Sequence, residues 1–204
     1  MLKNLFDSSA KKYGVNPETV DFYWNEVVRD YSTEGRYYHT LDHLEYVVNL
    51  LYEYRSSVRR WDILLMAAVY HDIVYDPAAS NNEEESAMIA DLHLTGLDYS
   101  PAEMKLCRKH ILATKLHAEA DYPDTNLLLD ADIAILGADW KCYRQYSDSV
   151  RREYSIYSDE DYARGRKAVL QLFLSHPRIF KTEPFFNRFE EQARLNLGRE
   201  LMAL

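Results

Sequence analysis

An all-α fold, a helical bundle of about eight to ten helices in one domain spanning residues 1–204, is what this sequence predicts, and three observations predict it. Only six glycines and six prolines punctuate 204 residues, and most of them sit where a helix would begin or end. The apolar residues recur at three- and four-residue spacing rather than in alternation. No linker, repeat or low-complexity stretch interrupts them, and 47% apolar content is enough for a sizeable core.

The elements follow in order. Asn16-Pro17 offers an N-cap with proline in the first helical position, and Val20, Trp24, Val27 and Val28 follow at helical spacing. Thr40 can cap a second helix whose stripe is Leu44, Val47, Val48 and Leu51. Trp61, Leu64, Leu65, Ala68 and Val69 mark a helix with so little polarity that it must be central, and His71 and Asp72 lie at its end. Asn82, followed by Glu83, Glu84 and Glu85, reads as a cap with an acidic first turn that complements the helix dipole, and Gly96 is placed to end that helix. Ser100-Pro101-Ala102-Glu103 is a capping box that opens a helix through Leu106, His110, Ile111 and Thr114. The run from Asn126 to Gly137 is apolar apart from Asp130 and Asp132. Asp139 and Ser158 can cap two further helices, and Pro184 opens a last one that ends near Leu204.

Charge and cysteine content exclude whole classes of function. With 33 acidic against 24 basic residues and a formal charge of -9, the chain is no general binder of duplex nucleic acid. Cys107 and Cys142 are the only cysteines and form no CxxC pair, which excludes a disulfide scaffold and a thiolate zinc site; both read as slightly polar core residues in a reducing compartment. The N-terminal stretch has no apolar signal region, and the most apolar segment, Ile63 to Tyr75, is broken by His71 and Asp72, so a cytoplasmic protein without a membrane span is expected.

The chemistry lies in the polar groups that interrupt apolar runs, because burying an ionisable group without a partner costs several kcal/mol. His39 and His43 fall four apart in YHTLDHLEYV, His71 and Asp72 end AAVYHDIVYD, and Asp130 and Asp132 break LLLDADIAILG. Neutral imidazoles with carboxylates form a mixed nitrogen and oxygen set suited to a divalent ion such as Mn, Fe, Ni, Co, Zn or Mg, and one ion or two can be served. Any one of these signals is as well explained by a satisfied core residue. Their conjunction and order, His, then His-Asp, then Asp, resembles the signature of the HD superfamily of metal-dependent phosphohydrolases.

That resemblance implies His43, His71, Asp72 and Asp132 as the metal ligands, with Asp72 as the residue able to bridge to a second cation. Asp130 is left either to orient a ligand or to cap locally. YHTLDHLEYV is also similar to the Tyr-His-Asn-x-x-His stretch of cyclic-nucleotide phosphodiesterases, with Thr40 in place of Asn, which implies His39 as the proton donor. The blocks RYYHTLDH, NNEEESA, YARGRKAVLQLFL and ARLNLGREL resemble a bacterial branch of predicted HD phosphohydrolases from about Arg36 to Leu201. The implied activity is hydrolysis of a phosphomonoester, pyrophosphate or phosphodiester, with nucleotides as the substrate class; the alternative is an idle HD domain that binds metal and nucleotide as a sensor. Arg36, Arg166 and His110 are the residues expected to hold phosphate, with Glu83 and Glu84 as further acidic neighbours of the metal. Tyrosine is over-used, 17 against 7 Phe and 3 Trp, and Tyr37, Tyr38, Tyr70 and Tyr75 cluster around the ligands, either to stack on a base or as core. The last helix, with Phe185, Phe186, Phe189, Leu195, Leu197, Leu201 and Leu204, carries more apolar surface than one face needs, to be buried by docking on the core or in a homodimer.

Overall fold

The computed structural model describes residues 1–11 and 13–204, and among them every regular element is helical. The elements are α1 (Leu2–Lys11), α2 (Pro17–Tyr31), α3 (Leu41–Glu53), α4 (Trp61–Tyr70), α5 (Asn82–Gly96), α6 (Pro101–Ala113), α7 (Pro123–Asp132), a 3-10 turn (Ile133–Gly137), α8 (Trp140–Glu153), α9 (Asp159–Ser175) and α10 (Glu183–Ala203). Chain contacts group into two units, Met1–Leu129 and Asp130–Leu204, and the division falls inside α7 rather than in a linker. Among the described residues no helix is long and apolar enough to cross a membrane.

The first unit is built around α4. Its residues from Ile63 to Tyr70 are all buried, and α1, α3, α5 and α6 pack against it. Each fully buried large apolar side chain stabilises by about 1.5–3 kcal/mol, so this helix is the anchor of the unit. Caps set the ends around it. Asn16 accepts from the Glu18 amide at 2.9 Å with Pro17 in the first turn, and Ser100 and Glu103 close a reciprocal capping box on α6. Three details differ from expectation. Asn82 is the first residue of α5, not its cap; its side chain instead accepts from the Asp76 amide at 3.0 Å and donates to the Asp76 carbonyl at 2.9 Å, closing the preceding loop. Gly96 does end α5, but the left-handed residue is Asp98 (φ 58°); a Cβ at Gly96 would sit 1.9 Å from the Tyr23 hydroxyl, so any larger residue there would displace that ring. Residues 2–11 form a helix that was not anticipated, and Leu2, Phe6 and Ala10, one turn apart, form its buried edge.

In the second unit the 3-10 turn packs on α10 and α8, and α10 packs on α9. Asp139 caps α8 through the amides of Lys141 and Cys142 at 3.0 and 3.1 Å, and Ser158 caps α9 through the Asp161 amide at 3.1 Å. Cys142 is therefore an exposed residue in the first turn of α8 rather than a core residue, whereas Cys107 is buried and burial pushes its thiol pKa up. The surplus apolar surface of α10 divides: Phe185, Phe189 and Leu197 are buried within the unit, and Leu195 is exposed. Gly137 lies so close to α10 that a Cβ there would be 2.6 Å from both the Cβ and the carbonyl oxygen of Phe189. Backbone cannot retreat as a side-chain tip can. Gly137→Ala is accordingly expected to lower stability by about 1–3 kcal/mol despite alanine's better intrinsic propensity, as read from urea unfolding.

Asp130 has a structural task here. Its carboxylate accepts from the amides of Lys181 and Thr182 at 2.8 and 2.7 Å and from the Thr182 hydroxyl at 2.7 Å, holding the entry to α10. This is neither of the roles open to it from the sequence, since the amides it holds lie some fifty residues further along the chain. Asp130→Ala leaves these donors without an acceptor and is expected to cost about 2 kcal/mol or more in an unfolding titration.

Candidate metal centre

His43 is carried on the first turn of α3, on the same face as Leu44 and Val47, which turns its side chain inward to 1% exposure. His71 caps the C-terminus of α4 with helical backbone angles, and Asp72 follows in the turn. The buried helix thus ends by presenting two candidate ligands in succession. His71 Nδ1 lies 2.8 Å from the Ala68 carbonyl oxygen. A carbonyl can only accept, so Nδ1 carries the hydrogen and the neutral ring keeps its lone pair on Nε2. That Nε2 is 3.2 Å from Asp72 Oδ2, and His43 Nε2 is 3.7 Å from the same oxygen. Asp132 closes α7, and one ligand atom from each of His43, His71, Asp72 and Asp132 lies within 4.8 Å of the others.

The donor set fits a divalent transition metal. Bonds of about 2.0–2.2 Å to a shared centre place ligand atoms roughly 3.4 Å apart in a tetrahedron and about 4.2 Å apart across an octahedron, close to the spread seen here. Two carboxylates offset the charge of a dication, and the carbonyl bond to His71 is the kind of outer contact that fixes a ligating imidazole.

Aromatic rings wall the site. Tyr38 lies against His43 at 4.7 Å between centroids, and His39 stands edge-on to His43 at 5.7 Å. His39 in turn stacks on Tyr75 at 4.1 Å with an interplanar angle of 26°. Of the four tyrosines singled out in the sequence, Tyr38 and Tyr75 therefore support histidines of the site, Tyr70 is buried beside His93, and Tyr37 is exposed. The chain matches no protein-family model, no curated protein and no solved structure. Its chemistry is carried by the residues themselves.

The residues expected to hold phosphate are placed otherwise. Arg36 donates from Nη1 to the carbonyls of His39 and Asp72 at 3.0 and 2.7 Å, from Nη2 to the Ile73 carbonyl at 2.7 Å, and from Nε to the Thr33 hydroxyl at 3.1 Å. Its fork is directed at backbone, not at a cavity. Arg166 is 8% exposed and forms a bidentate pair with Glu200 at 2.8 and 3.0 Å within the second unit. Sequence cannot distinguish a phosphate clamp from such a pair, because both need an arginine on a helix. Glu83 and Glu84 stand in the first turn of α5, where Lys115 Nζ lies 3.8 Å from Glu83 and bonds Glu84 at 2.6 Å.

His110 is fully buried, with Nδ1 2.8 Å from the Thr125 hydroxyl and Nε2 without a hydrogen-bond partner. Its surroundings are the buried side chains between α6 and α7. Burial pushes its pKa down to about 4, with Asp124 opposing. The unfolded chain protonates near the ordinary value of about 6.5, so between these two pH values the unfolded state binds more protons. The stability that His110 contributes is full above about pH 6.5 and is lost as pH falls toward 4, by up to about 3 kcal/mol. Burial lowers the His93 pKa too, with the same sign. His110→Gln is expected to flatten the stability slope between pH 7 and 5 relative to wild type, and parallel urea titrations at several pH values measure it.

Proposed function

We propose that the chain is a metal-dependent phosphohydrolase of the HD type, hydrolysing a phosphomonoester, pyrophosphate or phosphodiester bond, with nucleotides as the substrate class. The observation that carries this reading is the convergence of His43, His71, Asp72 and Asp132 to within 4.8 Å, in the same chain order that the sequence signature requires. A divalent cation held by these four supplies Lewis acidity toward a phosphoryl oxygen and an activated water at neutral pH. The remaining work belongs to the chain. His43 and His71 offer neutral nitrogens, and Asp72 and Asp132 bring the negative charge that retains the cation. His39, stacked on Tyr75 in the bend before α3 and four residues ahead of His43, is the group that gives a proton to the departing oxygen in this reading. The buried site walls lower the local dielectric and strengthen these interactions.

A mass-spectrometric product screen tests the reading directly. Wild type and Asp72→Ala are incubated with a library of nucleotides and phosphoesters and added Mn, Co, Ni or Mg. The expected result is release of phosphate, pyrophosphate or an opened diester by wild type alone. A metal-loaded wild type that turns over nothing in the library would favour a metal- and nucleotide-binding sensor and contradict the hydrolase.

A further inference from the structure

We propose that Arg36 is a positioning residue of the metal centre, a strut that locks the loop carrying His39 to the turn carrying Asp72. The inference rests on the metal-binding reading above and adds a residue to it. Helix α4 ends at Tyr70, and the carbonyls that follow a helix C-terminus lack partners within the helix. Two such carbonyls, those of Asp72 and Ile73, each receive a 2.7 Å bond from the Arg36 guanidinium. The same Nη1 also donates to the His39 carbonyl at 3.0 Å, so one planar group joins both segments. A cation at a helix C-terminus is favoured by the macrodipole, and bonds from a charged donor are the stronger kind.

Ring contacts reinforce the arrangement. The guanidinium lies 5.1 Å from the Tyr31 ring and 5.6 Å from the Tyr75 ring, and Tyr75 is the ring on which His39 stacks at 4.1 Å. Arg36 thus reaches His39 twice, through its backbone carbonyl and through Tyr75. It fixes the backbone of Asp72, whose carboxylate oxygen lies 3.2 Å from one imidazole and 3.7 Å from the other. Tyr31 is itself held, its hydroxyl donating to the Val69 carbonyl at 3.1 Å. Lysine keeps the charge but has no fork, so it cannot serve three carbonyls at once.

The test uses the intact chain, with Co²⁺ as both ligand and spectroscopic probe, and compares wild type, Arg36→Lys and Arg36→Ala. Removal of an outer contact of a metal site typically weakens binding 10–100-fold. Arg36→Ala is expected to bind Co²⁺ at least about 10-fold more weakly in calorimetric titration and to show altered visible bands, while its far-ultraviolet dichroism in EDTA matches wild type; Arg36→Lys falls between the two. Wild-type affinity and unchanged bands in Arg36→Ala would overturn the proposal. Should Arg36→Ala fail to fold, Arg36→Lys decides by the same two readouts. If wild type itself binds no Co²⁺, the metal reading fails and this inference falls with it, an outcome distinct from a wild type that binds and a variant that binds equally well.

Discussion

Replacing Asp72 by alanine is expected to weaken divalent-metal binding by at least about 100-fold, since loss of a direct ligand should exceed the 10–100-fold effect of an outer contact. The geometry sets this residue against both imidazoles. Its Oδ2 lies 3.2 Å from His71 Nε2 and 3.7 Å from His43 Nε2. Its side chain is 20% exposed, so no large cavity is left behind and the fold should persist. A ligand present at 100 times its dissociation constant stabilises the native state by about 2.7 kcal/mol, which corresponds to roughly 5–10 °C in melting temperature for a chain of this size. Wild type is expected to show a metal-dependent rise of that order. Asp72→Ala should show none, while the two proteins melt alike in EDTA. A variant that keeps the metal-dependent rise would remove Asp72 from the site.

The largest expected loss of stability lies in the second unit, at the Arg166–Glu200 pair. Arg166 and Glu200 are 8% and 7% exposed and joined by two parallel bonds. Glu200 also accepts from the hydroxyls of Tyr143 and Ser147. Burial alone would raise its pKa; Arg166, followed by the two hydroxyls, overrules this and holds the carboxyl below its ordinary value. Glu200→Ala strands a buried guanidinium and is expected to cost about 3–5 kcal/mol, whereas replacing both partners together by leucine should be far milder. The pH dependence has the sign of a depressed acid. The contribution is complete above the ordinary carboxylate pKa near 4.5 and is lost as pH falls through the lower folded value. Denaturant titrations of Glu200→Ala and of the double variant measure this, and a Glu200→Ala protein as stable as wild type would contradict it.

Much of the architecture was legible because its signals are local. Capping boxes, first-turn prolines and three- to four-residue spacing act within one turn, and Asn16, Ser100, Asp139 and Ser158 all cap where the sequence places them. The four candidate ligands were legible for a different reason: ionisable residues inside apolar runs need partners, the resemblance to the HD signature chose these four among them, and His43, His71, Asp72 and Asp132 do meet one another. Roles set by distant backbone were not legible. Asp130 interrupts an apolar run as Asp132 does, yet its partners are amides some fifty residues away in the chain. Arg36 precedes the histidine motif as a phosphate-binding arginine would, and only the fold shows carbonyls in front of its fork. The burial of Arg166 and His110 was not legible either, because a mixed polar sequence does not reveal it.

The central claim, that these four side chains form one metal site, is tested most directly by metal content. Wild type, His71→Ala and Asp132→Ala would each be dialysed against Co²⁺, freed of unbound ion and analysed by inductively coupled plasma mass spectrometry. The account predicts at least one equivalent in wild type and little in either variant. A metal-free wild type, or variants that retain its full content, would contradict it.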